Sequence, residues 1–389
     1  MRRRWRSTVT PSPERGREQI LEQREAPISE RGAALIVVLW LLAILGLLVG
    51  FFMQRSHLEL LAARNFRDDS RDRQEVRAGI NEGINLLLAD DNDFDALSDP
   101  WAAAVDNDRY SLRIFDEGSR INLNAVSKEI LDKLPGILPE EVAALLDWRD
   151  LDDETREGGA EDAYYMGLPE PYHIANGRFE TREELRLVKG FSEIYDSLAE
   201  VVTVYGPLNV NTAAIDGLDA LLASRGVDKF TAQFILNELI VYRSQPQGAP
   251  VGSLEEWKKK MPSMTEEVFN KIRPDLTVEG TINVNTAGRD VLLTLFGGLN
   301  LGDDIVDRLI SAREKTAFSN PGQVKAVLGD AAAFDKVKNF FTTRSAYFTI
   351  EARAKRGNGA KGAARVTVYR YHPQGEGKKW RVKILSWEE

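Results

Sequence analysis

The densest set of residues able to do chemistry is DWRDLDDETREGGAEDAYYM (147–166). Here Asp147, Asp150, Asp152, Asp153, Glu154, Glu157, Glu161 and Asp162 set eight carboxylates against Arg149 and Arg156. Hard oxygen ligands on a turning loop suit Ca²⁺, which takes about six to eight oxygens at about 2.3–2.6 Å. Gly158 and Gly159 allow a tight turn between the two acid groups, and Asp150, Asp152, Asp153, Glu161 and Asp162 are the candidate ligands. The spacing is not that of an EF-hand, and most charge runs are solvated loops, so a plain acidic loop stands as the other reading. Tyr164, Tyr165 and Met166 follow directly and suggest that the loop is anchored on a packed surface.

Other chemistries are poorly supplied. The 389 residues include no cysteine and only three histidines, His57, His173 and His372, far apart in sequence. That excludes disulfides, a thiol nucleophile and Cys-based metal or haem sites. No nucleophile–base spacing supports a hydrolase, so neither an enzyme nor a small-molecule substrate is expected. With 51 Lys+Arg against 60 Asp+Glu the net charge is −9, which argues against a general nucleic-acid binder.

Residues 33–53 (AALIVVLWLLAILGLLVGFFM) contain no charge, and a bilayer core takes about 20 helical residues to cross. Residues 1–32 form an Arg-rich polar leader whose eight Arg and five Glu leave +3, so the rest of the chain carries −12. Arg55, Arg64, Arg67, Arg71 and Arg73 follow the span as closely, so charge alone orients it weakly. No A-x-A-like site follows Met53, as a signal peptide would require. From Gln54 to about Ala89 there is no proline, and Leu58, Leu61, Val76, Ile80, Ile84 and Leu87 recur at helical spacing. A continuous helix of about 57 residues and about 85 Å results, apolar all round in its first half and amphipathic in its second.

Three segments in the middle echo one another: 121–150, 208–243 and 282–313. Each opens with an N-x-N turn at Asn122/Asn124, Asn209/Asn211 or Asn283/Asn285. A leucine-rich helix, a Gly-bearing hairpin (Gly136, Gly226, Gly297–Gly298) and a second helix ending near an Arg follow. Smaller helical pieces lie between, at 179–191 and 252–261. Such helix-hairpin-helix units often grip nucleic-acid backbones, but here the second helices open with Pro139-Glu140-Glu141 and Asp303-Asp304, and Lys229 sits beside Asp228. On charge grounds a structural or protein-contact role is favoured over DNA binding. From Tyr347 the pattern alternates with period two over 347–355, 364–372 and 378–387, and 109–118 reads as one more strand. A sheet split by about 220 helical residues predicts an insertion into a β-sheet domain whose apolar face the long helix covers.

The stretch RGAALIVVLWLLAILGLLVG resembles the start of type IV pilin-like proteins. Leader, stalk, N-x-N helical repeats, GGAEDAYY loop and terminal strands together resemble the K-type minor pseudopilins of bacterial type II secretion systems, the general secretion pathway protein K family. The resemblance implies an α+β, type IV pilin-like fold, a long N-terminal helix packed on a small antiparallel sheet, with a large, mostly α-helical inserted domain containing helix-hairpin-helix-like repeats. The implied segments are a cytoplasmic leader (1–32), the transmembrane half-helix (33–53), the rest of the stalk with the first strands (54–120), the insertion (121–345) and the C-terminal strands (346–389). It implies cleavage by prepilin peptidase between Gly32 and Ala33 with N-methylation of Ala33. Val37 stands where most pilin-like subunits carry glutamate, a departure the K-type shares and one that suits a subunit with no neighbour above it. The implied role is a non-enzymatic subunit at the tip of the pseudopilus, with the I-, J- and H-type minor pseudopilins as partners. It would be anchored once in the inner membrane, amino terminus cytoplasmic and body periplasmic, and support export of folded proteins. The resemblance also implies calcium in the insertion. A membrane-anchored helix-hairpin-helix DNA receptor is the alternative.

Overall fold

The computed structural model describes residues 30–245, 250–355, 362–373 and 379–389. Residues 1–29 of the expected leader lie outside these, as do most of the two expected turns at 357–362 and 373–377. The chain divides into two units, Met1–Asp68 and Asp69–Glu389.

The described part of the first unit is helical, the opening stretch of α1 (Glu30–Leu88). Every large apolar side chain from Leu35 to Met53 is exposed, and the most apolar window has a mean hydropathy of 3.0. Lacking Pro and charge, the segment is helical by propensity and apolar on all faces, compatible with a single-pass membrane anchor.

In the second unit the end of α1 is amphipathic. Its Val76, Ile80 and Leu87 are buried against Leu112, Ile350, Val366 and Val368, each such side chain contributing about 1.5–3 kcal/mol. Gly79 and Gly83 sit one turn apart on the same face. A Cβ on Gly83 would lie 2.7 Å from Ile350 Cγ2, and one on Gly79 would lie 3.0 Å from Ala352 Cβ. Glycine costs helix propensity here and allows the helix to lie close on the sheet.

Strands β1 (Val105–Asp106) and β2 (Tyr110–Asp116) follow. Three helical units come next. The first runs β3 (Ile121–Asn122), α2 (Lys128–Leu131), α3 (Pro139–Arg149), α4 (Asp162–Tyr165), α5 (Phe191–Leu198) and β4 (Val202–Thr203). The second runs β5 (Leu208–Asn209), α6 (Ile215–Ser224), α7 (Lys229–Ser244), α8 (Leu254–Lys260), α9 (Glu266–Ile272) and β6 (Leu276–Thr277). The third runs β7 (Ile282–Asn283), α10 (Arg289–Gly298), α11 (Asp304–Lys315), α12 (Val324–Leu328), α13 (Ala331–Val337) and β8 (Phe341–Thr342). The chain closes with β9 (Tyr347–Ala354), β10 (Ala363–Tyr371) and β11 (Arg381–Glu388).

The sheet order is β1-β2-β9-β10-β11, with every pairing antiparallel. Strand β2 therefore lies beside β9 with all three helical units between them in sequence. The alternation over 347–387 yields three neighbouring strands, and 109–118 yields β2 in the same sheet. Each unit is closed by its first and last strands pairing in parallel: Ile121 with Val202, Leu208 with Leu276, Ile282 with Phe341. These two-residue strands leave no period in the sequence.

The N-x-N turns explain the repetition. In each, the first Asn accepts the backbone N–H of the second through Oδ1, at 2.9, 2.9 and 3.0 Å. The second Asn clamps one residue from elsewhere in its unit, accepting its backbone N–H and donating to its C=O. Asn124 holds Phe179, Asn211 holds Val251, and Asn285 holds Phe318. The arginine ending each second helix returns to the turn: Arg149 donates to the Leu123 and Val126 carbonyls, Arg243 to Val210 and Ala213, Arg313 to Val284 and Ala287.

One expectation changes. Gly136 (φ 74°) and Gly226 (φ 72°) take the left-handed hairpin conformation, but in the third unit that position is Asn300 (φ 53°). Gly297 and Gly298 close α10 instead, where a Cβ on Gly298 would lie 2.6 Å from Ile130 Cγ1. Their smallness lets α10 lie against the first unit. The first and third units share one apolar core, the second has its own, and the sheet with the end of α1 forms a further one.

Replacing Asn285, 2% exposed, by Ala leaves the Phe318 N–H and C=O without partners. We expect a loss of about 2–4 kcal/mol, read from urea unfolding of the detergent-solubilised chain by tryptophan fluorescence. A change below about 0.5 kcal/mol would exclude a clamping role.

Candidate metal centre

The acidic loop leaves the C-terminus of α3, where Asp147 and Trp148 are buried. Trp148 meets Tyr165 edge-on at 5.3 Å and stacks on Phe179 at 6.3 Å, so the loop's far end is pinned by aromatic packing. The expected anchoring is carried by Tyr165, which is fully buried, whereas Tyr164 and Met166 are exposed.

Asp147 shapes the loop from inside. It accepts the Ala160 N–H at 2.8 Å and the Arg156 guanidinium at 2.7 Å. The two glycines have separate reasons: Gly158 has φ 82°, and a Cβ on Gly159 would lie 2.0 Å from Asp147 Oδ2. Lys189 closes the turn from outside, donating to the Gly158 and Gly159 carbonyls at 3.0 and 3.2 Å.

Of the five candidate ligands, the fold brings three together. One carboxylate oxygen from each of Asp150, Asp152 and Glu161 lies within 4.8 Å of the others. Asp150 and Glu161 are buried, and Asp150 Oδ1 and both Glu161 oxygens have no hydrogen-bond partner among the described residues. Orphaned buried carboxylate oxygens are costly without a cation or a proton, so this donor set fits a hard divalent ion. Asp153 turns to the Asn176 side chain at 3.2 Å. Asp162 begins α4 and accepts the Ile174 N–H at 3.1 Å, with His173 Nδ1 beside it at 3.0 Å.

Burial raises the Glu161 carboxyl to about 7, helped by the negative charges of Asp147, Asp150, Asp152 and Asp153. Burial also raises Asp150, opposed by the hydrogen bond from Arg156. Asp162 is held below the usual range by the Ile174 N–H and then by His173.

A second acidic cluster, Asp90, Asp95 and Asp99, serves as a contrast. Each of its oxygens has a partner: Arg370 binds Asp90 and Asp95, Ser345 N–H binds Asp95, Asn92 binds Asp90 and Asp99, and Ala96 N–H binds Asp99. Arg370 is itself 2% exposed and supplies the cation from within the chain. Sequence inspection missed this cluster because its cation comes from β10, and no local spacing brings the two together.

The processing positions lie in α1. Gly32, Ala33 and Val37 are all exposed there.

A five-stranded antiparallel sheet and interposed helical units define a mixed α/β protein, and its apolar helix is long enough to serve as a single-pass membrane anchor. The family described as type II secretion system (T2SS), protein K matches at residues 119–207 and 282–344, which are the first and third helical units. A putative type II secretion system protein K from Escherichia coli K12 is 28% identical over 45% of this chain and 62% of its own length. The type II secretion system protein K of Aeromonas hydrophila is 27% identical over 61% of this chain and 80% of its own. That of Pectobacterium carotovorum is 28% identical over 50% and 70%. A crystal structure of the GspK–GspI–GspJ complex from enterotoxigenic E. coli aligns with a TM-score of 0.50 and 13% identity, covering 84% of this chain and 98% of that one. The chain belongs to the type II secretion system protein K family.

Proposed function

We propose that this chain is a structural minor pseudopilin that caps the pseudopilus of a type II secretion system and supports export of folded proteins across the outer membrane. Beyond family membership, the observation that carries this reading is the sheet whose β2 and β9 are neighbours across three clamped helical units. A body of that size would crowd a thin helical filament and sits freely at its end. In this reading the sheet with its covering helix is a type IV pilin-like domain and residues 121–345 are its insertion. Val37 in place of the usual glutamate suits a subunit with no neighbour above it. The partners are the I- and J-type minor pseudopilins, as in the GspK–GspI–GspJ complex of the enterotoxigenic relative, and the H-type. The anchor lies in the inner membrane, amino terminus cytoplasmic, and the body is periplasmic. Prepilin peptidase cuts between Gly32 and Ala33, and Ala33 is N-methylated. The DNA-receptor alternative loses support because Arg149, Arg243 and Arg313 are spent on their own units' carbonyls.

Calcium belongs to the same reading. Asp150, Asp152 and Glu161 would hold it, and the ion would neutralise their charge. Arg156 and Lys189 keep the loop in place around them.

Three outcomes test this. The tagged chain co-expressed with its I- and J-type partners should co-purify with both, and recovery of the chain alone after mild detergent extraction would remove the tip assignment. With prepilin peptidase present the amino terminus should become Ala33, and Gly32→Leu should keep the leader; processing of that variant at Ala33 would refute the cleavage site. The melting temperature should be higher in Ca²⁺ than in EDTA. The gap should shrink as pH falls through about 7, because Glu161 then takes up a proton and stops ligating. In EDTA the sign is opposite: a carboxyl raised to about 7 makes the folded state bind more protons than the unfolded one, so Glu161's share of stability grows as pH drops from 7 towards its ordinary value. Equal melting in both media at pH 8 would exclude calcium.

A further inference from the structure

Beyond the end of α3 at Arg149, the acidic loop carries the cation Arg156, and its placement divides the loop's carboxylates into two sets. Arg156 Nη1 donates to Asp147 Oδ1 at 2.7 Å and also to Asp150 Oδ2. Its backbone N–H points at the same Asp147 carboxylate, and its carbonyl accepts the Gly159 N–H at 2.9 Å. Asp147 is fully buried, so its charge has to be met locally. Burial works against the guanidinium's charge, but the hydrogen bonds to Asp147 and Asp150 outweigh it and hold Arg156 more firmly protonated than usual. Asp150 is shared: Oδ2 faces Arg156, Oδ1 has no partner among the described residues, and one Asp150 oxygen lies within 4.8 Å of oxygens of Asp152 and Glu161.

We propose that Arg156 is a resident counter-cation that keeps the loop folded in the absence of a divalent ion and positions Asp150 with one oxygen free to receive it. This rests on the calcium reading for the ion but not for the loop's shape. Removing the guanidinium leaves the buried Asp147 and Asp150 charges without their counter-cation; Lys189 reaches only the Gly158 and Gly159 carbonyls, so the divalent ion is the remaining cation that can meet the Asp150 charge. The wild-type loop therefore tolerates chelation, and a variant without the positive charge depends on the ion. Arg156 is a positioning residue: it touches two loop carboxylates and leaves three oxygens to the ion.

The test uses the detergent-solubilised full chain and a Glu-specific protease, which cuts at Glu154 and Glu157, with Trp fluorescence reporting the overall fold. In the wild type, cleavage in EDTA should be within about threefold of that in Ca²⁺. For Arg156→Met we expect cleavage in EDTA at least about tenfold faster than wild type, returned close to the wild-type rate by Ca²⁺. Arg156→Lys, which keeps the charge, should stay within about threefold of wild type in EDTA. Arg156→Met as resistant as wild type in EDTA would overturn the proposal. Should Arg156→Met fail to fold in either medium, Arg156→Lys decides: wild-type behaviour supports the counter-cation role and failure refutes it. If calcium changes nothing for any form, the calcium reading fails, while the comparison of wild type with Arg156→Met in EDTA still judges Arg156.

Discussion

The helical part of this protein depends on one interaction used three times, an asparagine side-chain amide paired with both the N–H and the C=O of one distant residue. A primary amide offers an acceptor and donors side by side, the same pattern a neighbouring strand would offer. At Asn124, Asn211 and Asn285 it replaces a strand and fixes the start of Phe179, Val251 or Phe318 against the turn. Helix dipole and hairpin sterics alone would leave each unit's loops free to slide. The clamp, together with the returning arginine, ties the turn, the end of the second helix and the following segment to a few shared backbone atoms. Because Asn124 and Asn285 are almost wholly buried, the hydrogen bonds are made away from water, where a missing partner costs most.

The third unit uses its first Asn differently. Asn122 and Asn209 donate to backbone carbonyls of the unit closures. Asn283 donates to the Asp95 carbonyl, to Asp116 Oδ2 and to Ser345 Oγ. Asp116 ends β2, so this asparagine ties the third unit to the sheet. The Asp116 carboxylate also accepts from Thr286, Ser345 and the Gly118 N–H. Burial raises its pKa despite these donors.

Much of this was legible in the chain. The apolar run, the period-two strands and the N-x-N repeats each have a local period that physics translates directly: lipid length, pleat and helix start. The site was legible in composition, since an acid-rich loop with Gly158-Gly159 announces itself. It was not legible which carboxylates converge. Asp153 and Asp162 look equivalent to Asp150 and Glu161 in sequence, yet Asn176 and the Ile174 N–H draw them off. What separates the two pairs is burial and the position of a partner 12 to 23 residues away. The closing strands β3 to β8 were invisible for a similar reason: at two residues each they are too short to show a period. The clamped segment at Phe318, the third counterpart of 179–191 and 252–261, became recognisable only once its asparagine was seen to hold it.

The sharing of cores between units has a consequence for how the chain comes off the ribosome. The second unit encloses its own apolar core and can consolidate once Leu276 has emerged. The first cannot, because its core includes Val284, Phe296, Val306 and Phe341 of the third. Strand β2 likewise waits for β9. The earliest-made parts of the body are thus the last to be completed, and they stay unfinished while the middle matures. Non-local closure of this kind is slow. It leaves the first unit's apolar faces without their third-unit partners until Phe341 has been made, a period in which a chaperone that binds exposed apolar surface would find more to hold here than on the self-contained second unit.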